Sequence, residues 1–259
     1  MSRPVASNPL AADLLAGLDP VHTFRTAFHA DPFAWQERYL RETRNVAIVK
    51  GRQIGASTAS AALAIHQALY VPGSVSVIVS PSLKQSAEIQ SKARAAIRNL
   101  DNPMALDQDS ASTIGLSNGS RILSLPGTAT SVRGYTASLL IVDESAYVEE
   151  DTWLASRALV ATGGRVCVLS TPAGRSGWFW ELAESDDRSW TRFKVKSEEV
   201  PTISREYLAS ERRAMGPWKF AMEFEAEFGS GGASLFDHDR LMGLVDHTIK
   251  PLFGAREEA

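Results

Sequence analysis

The sequence predicts an α/β protein in which a mainly parallel central sheet is flanked by helices and followed by a small helical subdomain. Three observations carry that expectation. Apolar runs at residues 45–49, 75–79, 138–142 and 166–169 have the near-continuous hydrophobicity of strands buried on both faces. Helical segments at residues 58–69 and 83–100 alternate with the first of these runs, the pattern that builds parallel sheets. Finally, Lys50-Gly51-Arg52-Gln53-Ile54-Gly55-Ala56-Ser57-Thr58 joins the first strand to the first of those helices. A glycine-containing loop at a helix N-terminus is the context of a phosphate site.

Residues 1–30, punctuated by Pro4, Pro9 and Pro20, read as a helical or irregular arm without chemistry. Asp31-Pro32 then reads as a helix start, with Asp31 as N-cap and Pro32 at the first position. That helix carries Trp35 and Gln36. An aromatic followed by Gln just upstream of a phosphate loop points to an adenine reader, since Gln offers both a donor and an acceptor to a base edge. The alternative is a surface Gln on an amphipathic helix with Phe33 and Tyr39 in the core.

In the ordinary phosphate loop, G-x-x-x-x-G-K-[S/T], backbone N–H groups cradle the phosphates, the lysine neutralises the β/γ oxygens and the hydroxyl holds Mg²⁺. Gly51, Gln53, Ile54, Gly55, Ala56, Ser57 and Thr58 are the candidate nucleotide-binding positions, with Ser57 as the magnesium ligand. Ala56 occupies the lysine position. Either the cation comes from elsewhere or the loop hydrolyses nothing. Lys50, standing where the first glycine would be, is one candidate replacement.

The strand at residues 75–79 ends at Ser80-Pro81-Ser82, and beyond residue 100 a polar region contains the turn signal Asn118-Gly119 and a candidate strand at residues 120–125. Ser138-Leu139-Leu140-Ile141-Val142-Asp143-Glu144 is the second signature, an apolar strand ending in adjacent acids. At such a tip Asp143 can hold Mg²⁺ and Glu144 can orient and deprotonate the attacking water. Two carboxylates ending a buried run are costly without a cation or partner. The strand at residues 166–169 ends in Ser170-Thr171-Pro172. Parallel strand ends meet at one edge, so both hydroxyls can reach a γ-phosphate or its water, or else cap the following turn. Residues 203–215 form a charged amphipathic helix broken by Gly216-Pro217. In residues 218–228, Phe220, Phe224 and Phe228 recur at helical spacing and read as packing. Gly229-Ser230-Gly231-Gly232 is a flexible linker. Asp237-His238-Asp239 has the look of a metal cluster but reads as a solvated helix start.

Composition narrows the function classes. With 259 residues, 44% of them apolar, the chain can bury one sizeable core and a small appendage. Its apolar runs fall short of the roughly 18 residues that span a bilayer, and its start lacks the regions of a signal peptide, so a cytoplasmic protein is expected. The single cysteine, Cys167, excludes a disulfide framework and argues against zinc. A net charge of −3 argues against coating nucleic acid over a broad basic face. A translocase, which must release DNA in every cycle, is compatible with it.

In order along residues 31–228, Pro32-x-x-Trp35-Gln36, the phosphate loop, Ser80-Pro81-Ser82, Arg133-Gly134-Tyr135, Leu140-Ile141-Val142-Asp143-Glu144, Ser170-Thr171-Pro172 and the Phe220, Phe224, Phe228 series resemble the ATPase domain of the large terminase subunit, the motor that packages DNA into tailed-phage and herpesvirus capsids. The resemblance implies a P-loop NTPase of the additional-strand (ASCE) type, with an ATPase core over 31–200, a lid subdomain over 201–228, and a linker and tail over 229–259. It implies a deviant loop whose Lys50 reaches back to the β/γ-phosphates, and an Arg52 that senses the γ-phosphate. Arg133 is implied as a finger entering a neighbouring subunit's site to offset developing charge. It likewise makes Trp35 and Gln36 the adenine reader and Ser170 and Thr171 the coupling motif, with ATP and Mg²⁺ at the site. The partners it implies are double-stranded DNA, the portal protein and the small terminase subunit, with the chain in a pentameric ring. Family members normally continue into a metal-dependent nuclease, so here the nuclease is expected to be a separate subunit or to have been removed. Two other readings stand beside the motor. One is a degenerate nucleotide-binding scaffold in which Ala56 records lost chemistry. The other is a DEAD-like helicase core, prompted by Asp143-Glu144-Ser145-Ala146 but lacking room for a second core.

Overall fold

A computed structural model describes residues 9–100, 104–128, 130–132 and 134–229. Arg133, the linker and tail from Ser230 onward, and with them Asp237-His238-Asp239, lie outside the described residues.

Two helices, α1 (Pro9–Leu18) and α2 (Pro20–Phe28), come first. The segment that reads as an arm is built into the core from Pro20 on. The Asp19 carboxylate caps α2 by accepting from the Val21 N–H at 3.0 Å, and Val21, Phe24 and Ala27 are buried. Helix α3 (Ala34–Arg41) starts later than Asp31-Pro32 predicts. Asp31 is engaged by Arg25 at 2.8 Å, and the Phe33 N–H donates instead to Gln36 Oε1, also at 2.8 Å.

The chain then runs through β1 (Asn45–Lys50), α4 (Ala56–Tyr70), β2 (Val75–Ser80), α5 (Leu83–Arg98), β3 (Leu106–Asp109), β4 (Thr113–Leu116), β5 (Arg121–Pro126) and β6 (Ala137–Asp143). After a 3₁₀ turn at Ser145–Tyr147 come α6 (Glu150–Arg157), β7 (Val160–Ser170), α7 (Trp178–Glu184), β8 (Trp190–Val195), α8 (Arg205–Met215) and α9 (Pro217–Phe224). The strands form one eight-stranded sheet in the order β3-β4-β5-β2-β6-β7-β1-β8. Pairing is parallel from β5 to β8, and antiparallel where the β3-β4 hairpin joins β5. Strand β7 lies between β1 and β6, with Leu169 opposite both Ile48 and Asp143. The strand that feeds the phosphate loop and the strand that ends in acids are thus separated by one additional strand.

Successive side chains point to opposite faces, so each strand serves two cores. Val46, Ile48, Ile141 and Leu169 pack under α2 to α5, whereas Ala47, Val49, Val142 and Val168 pack with Trp153 of α6 and Phe179 of α7. Each fully buried aliphatic side chain contributes about 1.5–3 kcal/mol by leaving water, which is why these runs tolerate so few polar residues.

The phenylalanine series of the lid is shorter than its spacing predicts. Phe220 and Phe224 stack at 5.0 Å within α9, but the helix ends at Phe224 and Ala226 takes a left-handed φ of 56°. That turn sends Phe228 back to α7, where it meets Phe179 at 6.2 Å.

Candidate nucleotide site

The loop between β1 and α4 is held by contacts on both of its flanks. The Gly51 N–H donates to Val195 O at 2.8 Å and the Arg52 N–H to Glu223 O at 2.7 Å, while Arg52 O accepts from Ser197 Oγ at 2.7 Å. A Cβ at Gly51 would sit 2.6 Å from Phe224 O, so only glycine lets β8 and the lid approach this closely. Further on, Gln53 and Gly55 have φ of 60° and 81°, and Gly55 caps α4. The left-handed Gln53 is strain of the kind that active-site loops store.

Trp35 and Gln36 hold this loop from behind. The Trp35 indole N–H donates to Ile54 O at 3.2 Å and Gln36 Nε2 to Gly55 O at 3.0 Å, and both side chains are buried. With Gln36 Oε1 already accepting from Phe33, both ends of its amide are engaged. Trp35 and Gln36, expected to face an adenine base, bond the loop backbone instead, and neither residue lines the cleft described next.

A cleft of about 790 Å³ opens above the loop. Loop residues 50–57 line it, together with Glu144, Tyr147, Thr171 and, from α5, Gln85, Glu88 and Lys92. Ser57 is among these residues; Thr58 is not, and Ala56 packs into the core beneath. On the cleft floor Lys50 Nζ lies 2.7 Å from Glu144 Oε1 and 3.9 Å from Asp143 Oδ1. Lys50 is 6% exposed and Asp143 8%. Burial works against the Lys50 ammonium, but the two carboxylates outweigh it and hold its pKa above the ordinary lysine value. Burial pushes Asp143 upward, and Lys50 opposes this only in part. Glu144, left-handed at φ 52°, also accepts a long 3.4 Å bond from the buried Ser170 hydroxyl at its second oxygen. The predicted Lys50, Asp143, Glu144, Ser57, Ser170 and Thr171 therefore converge on one edge of the sheet.

Arg52 also borders the cleft, but the lid holds its guanidinium. Its Nε lies 2.6 Å from Glu223 Oε2, and this partnership raises its pKa. Next to it, Gln53 Nε2 donates to the Tyr207 hydroxyl at 3.0 Å. Glu223, Tyr207 and Ser197 are functional neighbours that sequence reasoning missed. Each lies more than a hundred residues from the loop, and no local pattern marks it.

The donor set suits Mg²⁺ that travels with phosphates. Ser57 borders the cleft and Asp143 lies buried beside Lys50 beneath its floor, a hydroxyl and a carboxylate that suit an ion keeping waters and phosphate oxygens as its other ligands. No cluster of three or more His, Cys, Asp or Glu that could hold a metal by itself exists among the described residues.

A glycine loop at a helix N-terminus, acids at the tip of a strand two places away, and one strand inserted between them define a P-loop NTPase of the additional-strand type. Residues 47–242 match the family described as terminase large subunit, T4-like-virus type, N-terminal. The chain belongs to that family, as an ATPase domain of a large terminase subunit. Among solved structures it is similar to the large terminase ATPase domain of Thermus phage P74-26, at 20% identity and a TM-score of 0.69, over 82% of this chain and 99% of that one. It is also similar to the HK97 bacteriophage large terminase (13% identity, TM-score 0.69, covering 82% of this chain and 55% of that one). For the large terminase of a thermophilic bacteriophage in complex with ADP, the values are 12%, 0.59, 81% and 52%. The chain spans about half the length of these last two proteins. At such identities the likeness is one of fold.

Proposed function

We propose that this chain is the ATP-hydrolysing component of a motor that drives double-stranded viral DNA into a procapsid. The observation that carries the reading is the 2.7 Å contact between Lys50 of the loop and Glu144 of the acidic tip. It sets the loop's buried cation beside the acidic tip, which supports the reading that Lys50 does the work of the lysine that Ala56 replaces. A degenerate loop would have no chemical need to keep Lys50, Asp143 and Glu144 together, which weighs against that reading.

With the β/γ-phosphates of ATP in the cleft, Lys50 exchanges Glu144 for phosphate oxygen. The freed Glu144 carboxylate orients and deprotonates the attacking water, while Ser170 steadies its second oxygen. Mg²⁺, held by Ser57 and Asp143, would neutralise charge on the phosphates. Arg52 leaves Glu223 for the γ-phosphate, and Thr171 lines the same end of the cleft. Large terminases of a thermophilic bacteriophage described in complex with ADP and with ATP-γ-S support a nucleotide at this site. The reading includes assembly as a pentameric ring on the portal protein, with the small terminase subunit, in the cytoplasm of an infected host, and Arg133 supplied by a neighbouring copy.

The test is Mg²⁺-dependent ATP turnover by the protein assembled with portal and DNA. Lys50→Ala and Glu144→Gln should each lower kcat by about 100-fold or more, the usual scale for losing a general base or a charge clamp. Full turnover in Lys50→Ala would sink the lysine assignment. An inactive wild-type assembly would sink the motor.

A further inference from the structure

Among the described residues, every lysine and arginine that lines the cleft is already paired with a carboxylate. Lys50 meets Glu144, Arg52 meets Glu223, and Lys92 meets Glu88 at 2.9 Å. The first two belong to the loop. The third belongs to α5 and has no counterpart in the sequence signatures, because Glu88-x-x-x-Lys92 reads as an ordinary surface pair one helical turn apart. Its position is not ordinary. Gln85, Glu88 and Lys92, spaced three and four residues apart, form the one face of α5 that lines the cleft. The adjoining face, with Ile89, Ala93 and Ile97, is buried in the core.

Topology says which end of the cleft this wall borders. Helix α5 follows β2, and β2 pairs directly with β6, whose tip carries Asp143 and Glu144. The charge of Glu88 is close enough to act on Asp143. The α5 wall therefore stands at the acidic end, where water must attack the terminal phosphate, and the lid stands at the other side of the loop. We propose that Lys92 is a further phosphate-binding residue of this site, exchanging Glu88 for the terminal phosphate of ATP. Together with Lys50 it supplies charge that Ala56 does not. Exposed pairs one turn apart are weak, and the Lys92 and Glu88 side chains are 37% and 63% exposed. Lys92 is therefore released more readily than Lys50, which is buried between two acids.

The proposal rests on the ATPase reading above, and the test separates the two. Binding of Mg²⁺-ATPγS and of Mg²⁺-ADP is measured by calorimetry for wild type, Lys92→Ala, Lys92→Arg and Glu88→Gln. Lys92→Ala should weaken ATPγS by about tenfold or more, the worth of a charged hydrogen bond, and leave ADP within about twofold. Lys92→Arg should restore ATPγS binding, and Glu88→Gln, by removing the competitor, should tighten it. A merely structural pair predicts that Lys92→Ala and Glu88→Gln move both nucleotides together and in the same direction, which would overturn the proposal. So would unchanged ATPγS binding in Lys92→Ala. If wild type binds neither nucleotide, the ATPase reading falls as well.

Discussion

At the scale of single residues, the site turns on one buried cation between two acids. Replacing Lys50 with Met keeps most of its volume but strands Asp143 and Glu144 without a partner, and breaking a buried pair this way costs about 3–5 kcal/mol. The pH dependence has a definite sign. Lys50 has a raised pKa, so its contribution is complete below the unfolded-lysine value and is lost only as pH climbs through the higher folded value. Asp143 is raised as well, so its folded form holds a proton more firmly than the unfolded chain does, and protonation relieves it as pH falls. Lys50→Met should therefore lose most stability near pH 7 and recover part of it toward pH 5. Urea unfolding at the two pH values checks this, and an equal loss at both would show that the acids are not the cause. Lys50, Asp143 and Glu144 were legible because each stands at the end of an apolar run. The partner of Arg52 was not, because Glu223 lies on a helix whose local pattern reports only its own packing.

Elements that carry no motif decide how the loop is held. Gln36 joins the start of α3 to the loop through Phe33 N and Gly55 O, and each bond is worth about 1 kcal/mol net, more where a buried partner is left unsatisfied. Gln36→Ala should cost about 2 kcal/mol of stability and weaken ATP and GTP alike. A loss confined to ATP would return Gln36 to the role of adenine reader. Glu42, just after α3, ties the chain to the edge strand β8 by accepting from Thr191 Oγ1 at 2.7 Å. Burial pushes its carboxyl up, but the Thr191 hydroxyl and the Arg44 contacts win and bring the pKa down to about 2. Its contribution is present above the unfolded value of roughly 4.3 and disappears as pH falls through the folded value. Glu42→Gln should then cost about 2 kcal/mol at pH 7 and little at pH 2, measured by chemical unfolding. The sequence showed the strands buried on both faces and their helices, while missing β3, β4, α6, α7 and β8. The first two strands are a short hairpin at the sheet edge, with β3 largely exposed. Strand β8 is also an edge, with Arg192 and Lys194 interrupting its apolar positions, so the signal of continuous burial fades where burial itself does.

At the scale of the whole molecule, nothing in residues 160–170 by itself announces that β7 slots between β1 and β6, and only the resemblance to an additional-strand NTPase carried that expectation. No local pattern announces the grip of the lid on the loop either. Glu223 binds Arg52 through backbone and side chain, Tyr207 binds Gln53, and Phe224 O crowds Gly51, so three consecutive loop residues are each read by α8 or α9. No α8 side chain is fully buried, and α9 buries only Phe220 and Phe224. The lid is thus lightly anchored to the core while being firmly attached to the loop, and light anchoring is what lets a segment open below the global unfolding free energy. Nucleotide binding that draws Arg52 toward phosphate must therefore loosen or reposition α9. Hydrogen exchange of α8 and α9 amides should change when wild type binds Mg²⁺-ATPγS. In Glu223→Gln, where the guanidinium has lost its charged partner, the exchange should already be fast without nucleotide and change little on binding. If the α9 amides respond to ATPγS equally in both proteins, the Arg52–Glu223 pair is not the connection between loop and lid, and the backbone contact of Arg52 with Glu223 becomes the next bond to test.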